Sequence, residues 1–180
     1  MKKPLLFIPL LALLLQGCMT MTPYEPSYDN VQRLKQTPPL QSISNVQVAS
    51  NSDEGSISVR GTPIRSPRGS FPLHIQEAIS EELRRAGLLD PQAQRHLEIL
   101  LVQNDLNAGL RTGTGELAVR FTLLKGHEVV YDATKEVTSQ WDSSFFGVIA
   151  IQTAAKTYNP MVRNLLKALY SDPLFIQALK

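Results

Sequence analysis

The chain has 180 residues, 43% of them hydrophobic and 19% charged, the composition of one globular domain rather than of a disordered or membrane-saturated protein. Its 18 Lys and Arg stand against 16 Asp and Glu, and Lys2 and Lys3 leave with any cleaved leader, so no basic surplus points to nucleic acid. A single cysteine excludes an intramolecular disulfide framework and a cysteine-based zinc cluster, and 7% aromatic residues argue against a base-stacking platform.

The first element in the chain is an export signal. Met1-Lys2-Lys3 is followed by the apolar run Leu5–Leu15 and then by Gln16-Gly17-Cys18. That run has the length of a signal-peptide core, whereas a spanning helix needs about 20 apolar residues. Leu15-Gln16-Gly17-Cys18 resembles a bacterial lipobox, with a small residue before the cut and a thiol to alkylate. The resemblance implies a signal peptide over 1–17, cleavage between Gly17 and Cys18, and a diacylglyceryl thioether on Cys18. Acylation of the new amino group, as palmitate, would complete the two or more chains that stable anchoring requires. In Gram-negative lipoproteins an Asp after the cysteine retains the protein at the inner membrane. Met19 is not Asp, so the resemblance implies a lipid anchor in the outer membrane, on its periplasmic side.

Residues 18–42 carry Pro23, Pro26, Pro38 and Pro39 among polar side chains and read as an extended, lipidated tether that contributes no core. Within it, Val31 and Leu34 allow a short helix over Tyr28–Gln36.

From residue 43 to 180 the pattern is that of a single α+β periplasmic domain. Ile43, Val46 and Val48 predict a first strand and Ile57 and Val59 a second, joined by the turn-forming run Asn51–Gly55. The Gly61–Gly69 stretch, with Pro63 and Pro67, reads as an irregular loop. Ser70 and Pro72 then open a helix whose apolar face holds Ile75, Ala78, Ile79, Leu83 and Ala86, and which Gly87 ends. Glu81 and Arg85 form an i,i+4 pair on its outer side.

Leu97–Leu106 is dense enough in aliphatic residues for a strand buried on both faces. Gly109 to Gly115 reads as a turn. Alternation from Leu117 to Leu124 predicts a half-buried strand that Lys125-Gly126-His127 turns back into Glu128–Ser139. A helical region from about Gly147 to Tyr170 contains Pro160, expected to kink or divide it, and Asp172-Pro173 opens a last short helix. The expected architecture is an antiparallel sheet of about four to five strands with two main helices packed on one face.

The lipobox, the proline-containing spacer, the helix Ile75–Gly87, the strand hairpin and the closing Ser171-Asp172-Pro173-Leu174-Phe175 together resemble the short YajG-type and related uncharacterised lipoproteins of proteobacteria. That resemblance spans nearly the whole length and implies an outer-membrane protein without known catalysis. Auxiliary lipoproteins of lipid-trafficking ABC systems are a neighbouring group. Their early Tyr-Tyr-Thr-Leu type motif is missing, since Tyr24 and Tyr28 stand alone among prolines.

Catalytic signatures are absent from the sequence: there is no Gly-x-Ser-x-Gly elbow, no His-Glu-x-x-His and no phosphate-binding Walker loop. His74, His96 and His127 are spread over separate elements and read as solvated or edge histidines rather than metal ligands. Gly113-Thr114-Gly115 reads as a hairpin turn requiring positive φ. No cofactor and no catalytic residue is expected.

Two features suggest contacts. Arg60, Arg65 and Arg68 place three guanidinium groups in one loop, a candidate contact for an anionic lipid or lipopolysaccharide phosphate. Trp141, Phe145 and Phe146 cluster ahead of the last long helix. The leading expectation is an envelope-anchored interaction or assembly accessory with a protein partner. A lipid- or lipopolysaccharide-handling accessory with an apolar groove comes second, and a hydrolase, without motif support, third. A continuous packed core with one exposed patch favours the first.

Overall fold

The computed structural model describes residues 19–37, 39–49 and 55–180. The signal peptide, Cys18, and most of the Asn51–Gly55 turn lie outside the described residues.

The described residues form seven strands and four helices in the order β1(Met19–Thr20), α1(Tyr28–Gln36), β2(Ile43–Val48), β3(Ser56–Val59), β4(Thr62–Arg65), α2(Phe71–Ala86), β5(Arg95–Ala108), β6(Thr112–Lys125), β7(Glu128–Asp142), α3(Gly147–Tyr170) and α4(Pro173–Ala178). Four strands make the main sheet, in the order β2-β5-β6-β7, and three make a small sheet, β1-β4-β3. The class is α+β, as the element order predicts.

The main sheet is mixed rather than antiparallel, because β2 pairs with β5 in parallel. Between them the chain makes the β3–β4 hairpin and α2, and this crossover returns it to the end where β2 began. Strands β5, β6 and β7 pair antiparallel along their lengths. Gly126, at φ +60°, occupies the two-residue turn that joins Lys125 to Glu128.

One face of the sheet is buried and the other is open. Leu97, Ile99, Leu101, Leu117, Val119, Phe121 and Leu123 point inward, against Ile75, Ile79 and Leu83 of α2 and Tyr158, Val162, Leu165 and Leu169 of α3, in one continuous core. β5 is thus covered on one face, not on both: Leu100 is half-buried and Val102 exposed, while Arg120 and Asp132 pair at 2.5 Å on the outer side.

α2 runs as its periodicity predicts, from Phe71 to a left-handed Gly87 at φ +78°. Ser70 sits at the N-cap without capping through its side chain; its carbonyl instead accepts from the Ser66 hydroxyl at 2.7 Å. α3 continues unbroken through Pro160. That proline is exposed, and so is Lys156, whose carbonyl loses its helical donor and can turn to water.

The Gly61–Gly69 stretch is irregular only in its second half, because Thr62–Arg65 is strand β4 and a turn follows over 66–69. Arg60, at φ +49°, and Gly61, at φ +79°, form the tight turn between β3 and β4, and Pro63 lies in β4. Gly113 and Gly115 are not turn residues either, but lie in β6 paired with Trp141 and Ser139. Their missing side chains make room. A Cβ on Gly113 would meet the Trp141 indole, and one on Gly115 would lie 2.7 Å from Met161 Sδ.

Candidate functional site

The stretch expected to be an extended tether has no regular secondary structure over residues 21–27, but it lies on the domain. β1 pairs in parallel with β4, and the Met21 amide donates to the Arg65 carbonyl at 2.9 Å. Met21, Val31 and Leu34 are buried, and Met21 and Leu34 join the main core. The helix over Tyr28–Gln36 forms at the expected residues, with the Ser27 hydroxyl accepting from the Asn30 amide at 3.3 Å. We refer to residues 19–37 as the strap.

Two buried polar side chains of α2 hold the strap. The Glu82 carboxylate accepts from the Tyr24 hydroxyl at 2.6 Å, the Ser27 amide at 2.8 Å and the Asn30 side-chain amide at 3.2 Å. The same Asn30 amide donates to the Arg163 carbonyl of α3 at 3.1 Å, so strap, α2 and α3 meet at one point. Burial raises the Glu82 pKa, and the hydrogen bonds from Tyr24, Ser27 and Asn30 only partly offset that effect. Burial, then the Glu82 charge, also pushes the Tyr24 hydroxyl up. The buried Tyr170 hydroxyl feels the same carboxylate but is not in hydrogen-bond geometry with it.

The second is His74, which is fully buried rather than solvated. Its Nε2 lies 2.7 Å from Asn159 Oδ1, while the Asn159 amide donates to the Thr22 and Pro23 carbonyls at 3.1 Å each. With Asn159 Oδ1 as acceptor, His74 carries its proton on Nε2. Burial lowers its pKa, which holds the ring neutral. His96 is partly exposed beside Glu98, and His127 sits in the exposed β6–β7 turn. Among the described residues no group of three or more His, Cys, Asp or Glu could hold a metal ion.

The three arginines do not form one anion-binding cluster. Arg60 is spent within the protein: Nε donates to the Ala108 carbonyl at 2.7 Å, Nη2 to Gly109 at 2.6 Å and Ser144 at 2.9 Å, and Nη1 to Phe145 at 3.2 Å. These bonds also hold a non-glycine residue in left-handed backbone, a conformation that costs about 1–2 kcal/mol. Arg68 pairs with Glu77 through both Nε, at 2.6 Å, and Nη2. Arg65 lies exposed on β4 and has no ion pair or side-chain hydrogen bond among the described residues.

The Arg60 fork ties the β3–β4 turn to the end of β5 and to the β7–α3 segment. On this framework stand Leu110, Phe145, Phe146, Val148 and Ile149, each between 52% and 74% exposed. Phe145 and Phe146 make a T-shaped pair with centroids 6.0 Å apart. Trp141 does not join them at the surface; it is half-buried across Gly113. The aromatic cluster is therefore divided between a packed indole and a bare tip. Such a concentration of exposed apolar side chains on one end marks an interaction surface. A separate groove of about 630 Å³ along α2 is lined by charged and polar groups, including Arg68, Glu77, Glu81 and Arg84.

Similarity to known proteins reaches the chain through its fold. No protein-family model matches the sequence, and no curated protein is similar to it at a significant level. The crystal structure of XCC0632 from Xanthomonas campestris, of family DUF330, superposes with a TM-score of 0.56 at 16% identity, covering 90% of this chain and 95% of that one. The two share a fold. More distant likenesses include a candidate lipoprotein from Caulobacter crescentus, with a TM-score of 0.46 at 10% identity over 83% of this chain and 96% of that one. A minor lipoprotein from Acinetobacter baumannii gives 0.41 at 10% identity, over 72% of this chain and 90% of that one.

Proposed function

We propose that the chain is a non-catalytic lipoprotein, anchored through acyl chains on Cys18 in the outer membrane and facing the periplasm, where it serves as an interaction or assembly accessory of the envelope. The observation that carries this reading is the register of charged start, apolar run and Leu15-Gln16-Gly17-Cys18, with strand β1 at Met19–Thr20 immediately after it. Lipoproteins of Gram-negative bacteria among the distant structural likenesses agree with it. A continuous core and one bare apolar tip favour a docking protein over a carrier of lipid. Of the three arginines, only Arg65, on β4 away from the tip, is left unengaged by carbonyls or Glu77 to meet an anionic lipid or lipopolysaccharide phosphate.

Mass spectrometry of the mature protein tests the anchor. The expected species begins at Cys18 and carries diacylglyceryl and N-acyl groups, and Cys18→Ala gives an unprocessed or soluble protein. An intact Met1 or an unmodified Cys18 thiol overturns the reading.

A further inference from the structure

The apolar tip and the N-terminal end of β1 both lie toward the Arg60–Gly61 turn. β1 runs parallel to β4, and Met19 pairs with Ile64, so the N-terminal end of β1 faces the Arg60–Gly61 turn. Ile64 lies four residues beyond Arg60, about 13 Å along the strand at roughly 3.3 Å per residue. Cys18 is bonded to Met19, its Cα about 3.8 Å away across one peptide. No spacer intervenes, because Met19 and Thr20 are already strand and Met21 is buried. From the Arg60 side chain, in turn, bonds run directly to the Ser144 and Phe145 carbonyls, at the base of the tip.

We infer that Leu110, Phe145, Phe146, Val148 and Ile149 form a membrane-docking face that inserts into the interfacial layer of the bilayer holding the Cys18 lipid. This inference rests on the anchor reading above. The occupant follows from the place of β1: acyl chains on Cys18, one residue before Met19, bring the bilayer surface to the β1 end, and the Arg60 side chain ties that end to the bare side chains. Apolar and aromatic side chains of this kind are accommodated about 5–10 Å deep, at the boundary of headgroups and acyl chains. The strap makes the geometry fixed rather than statistical, since a free tether would let the domain present any side. Docked this way, the far turn at Gly126-His127 points away from the bilayer, and the open outer face of β5–β7 stays free for other contacts.

The test uses the lipidated full-length protein, purified from membranes and placed in phosphatidylethanolamine–phosphatidylglycerol vesicles with brominated acyl chains. In a Trp141→Phe background, a single tryptophan is introduced either at the tip, as Phe145→Trp, or in the distal hairpin, as Val129→Trp. Val129 is exposed next to the β6–β7 turn, so both sites tolerate the change. Thermal melting confirms that each variant folds. The expected result is at least twofold quenching of the tip tryptophan with a blue-shifted emission, and no quenching of the distal one. The effect should persist in about 1 M salt, where screening reaches about 3 Å, because apolar insertion is not an ionic contact. Quenching abolished by salt, or equal quenching at both positions, overturns the inference. So does a tip emission that shifts with protein concentration in detergent without bromolipid, which would make the tip a contact between copies. The mass of each sample separates the two claims. An acylated Cys18 with an unquenched tip overturns the docking face alone, whereas an unacylated Cys18 removes the anchor and the inference together.

Discussion

Residues 19–37 bring partners to buried polar groups of α2 and α3, whereas residues 143–149 carry apolar groups outward and leave them bare. Beneath the strap, Glu82 of α2 collects three strap donors and Asn159 of α3 bridges His74 to two strap carbonyls. At the tip, the charged and polar work is done underneath, by the Arg60 fork, and the surface is left to Phe145, Phe146, Val148 and Ile149. The difference teaches where the constraint lies. Buried polar pairs fix one arrangement because a lost partner is costly, while an exposed apolar group is neutral until something covers it. Strap substitutions should therefore appear in stability and tip substitutions in association.

The largest effect should come from deleting residues 19–37. The deletion uncovers the sites of Met21, Val31 and Leu34, each worth about 1.5–3 kcal/mol of burial, and strips the donors from Glu82. Against a total stability of about 5–15 kcal/mol, that should abolish cooperative unfolding in a urea titration followed by circular dichroism.

Next is Glu82→Ala, which leaves the Tyr24 hydroxyl and the Ser27 amide without their acceptor and the Asn30 side chain with the Arg163 carbonyl alone. A loss of about 3 kcal/mol is expected in urea denaturation, given about 1–3 kcal/mol for a buried group left unsatisfied. A result within 0.5 kcal/mol, the scale of an ordinary surface change, would make the strap a passive covering.

The pH dependence sharpens the same point. Burial raises the Glu82 pKa, so the folded protein keeps a proton where the unfolded chain has released it. The part of its contribution that is linked to this proton is full below the unfolded value of about 4.3, falls as pH rises from there to the folded value, and is gone above it. Comparison of wild type with Glu82→Gln over that range should show the difference in melting temperature changing with pH and levelling off above it.

Arg60→Met should cost less, about 1–2 kcal/mol, because its carbonyl bonds are partly solvated. Its mark is local: amide exchange should speed up in residues 143–146 before it does in α2. Smallest is the double change Phe145→Ser and Phe146→Ser, expected to stay within about 0.5 kcal/mol by thermal melting. Phe146 is the N-cap of α3, where serine is a favoured residue.

Local pattern made much of this legible from residues alone. Four-residue spacing located α2, Gly87 ended it, strict alternation located the β6–β7 hairpin, and Asp172-Pro173 marked α4. Pairing at a distance was not legible. That β2 joins β5 in parallel, and that β1 lies on β4, depends on long-range hydrogen bonds that no local signal encodes. Glycines 113 and 115 suggested a turn because the demand for space comes from Trp141 and Met161, far along the chain. The strap was missed because prolines and polar residues read as solvated. The signal that could have found it lies in α2: positions 71, 74, 75, 78, 79, 82 and 83 form one buried stripe, and His74 and Glu82 fall within it. Two polar residues on a buried stripe require partners from elsewhere: the preceding segment supplies them to Glu82 directly, and α3 supplies Asn159 to His74.

The strap belongs to the folded domain, so the chain is committed to one path from Met19 onward. Native-state amide hydrogen exchange of Met21, whose amide bonds the Arg65 carbonyl, tests it most directly. The account predicts that Met21 exchanges only on global unfolding, with protection equal to that of Ile79 and Leu83 in α2. Exchange of Met21 at the rate of an unstructured peptide, while α2 remains protected, would contradict it.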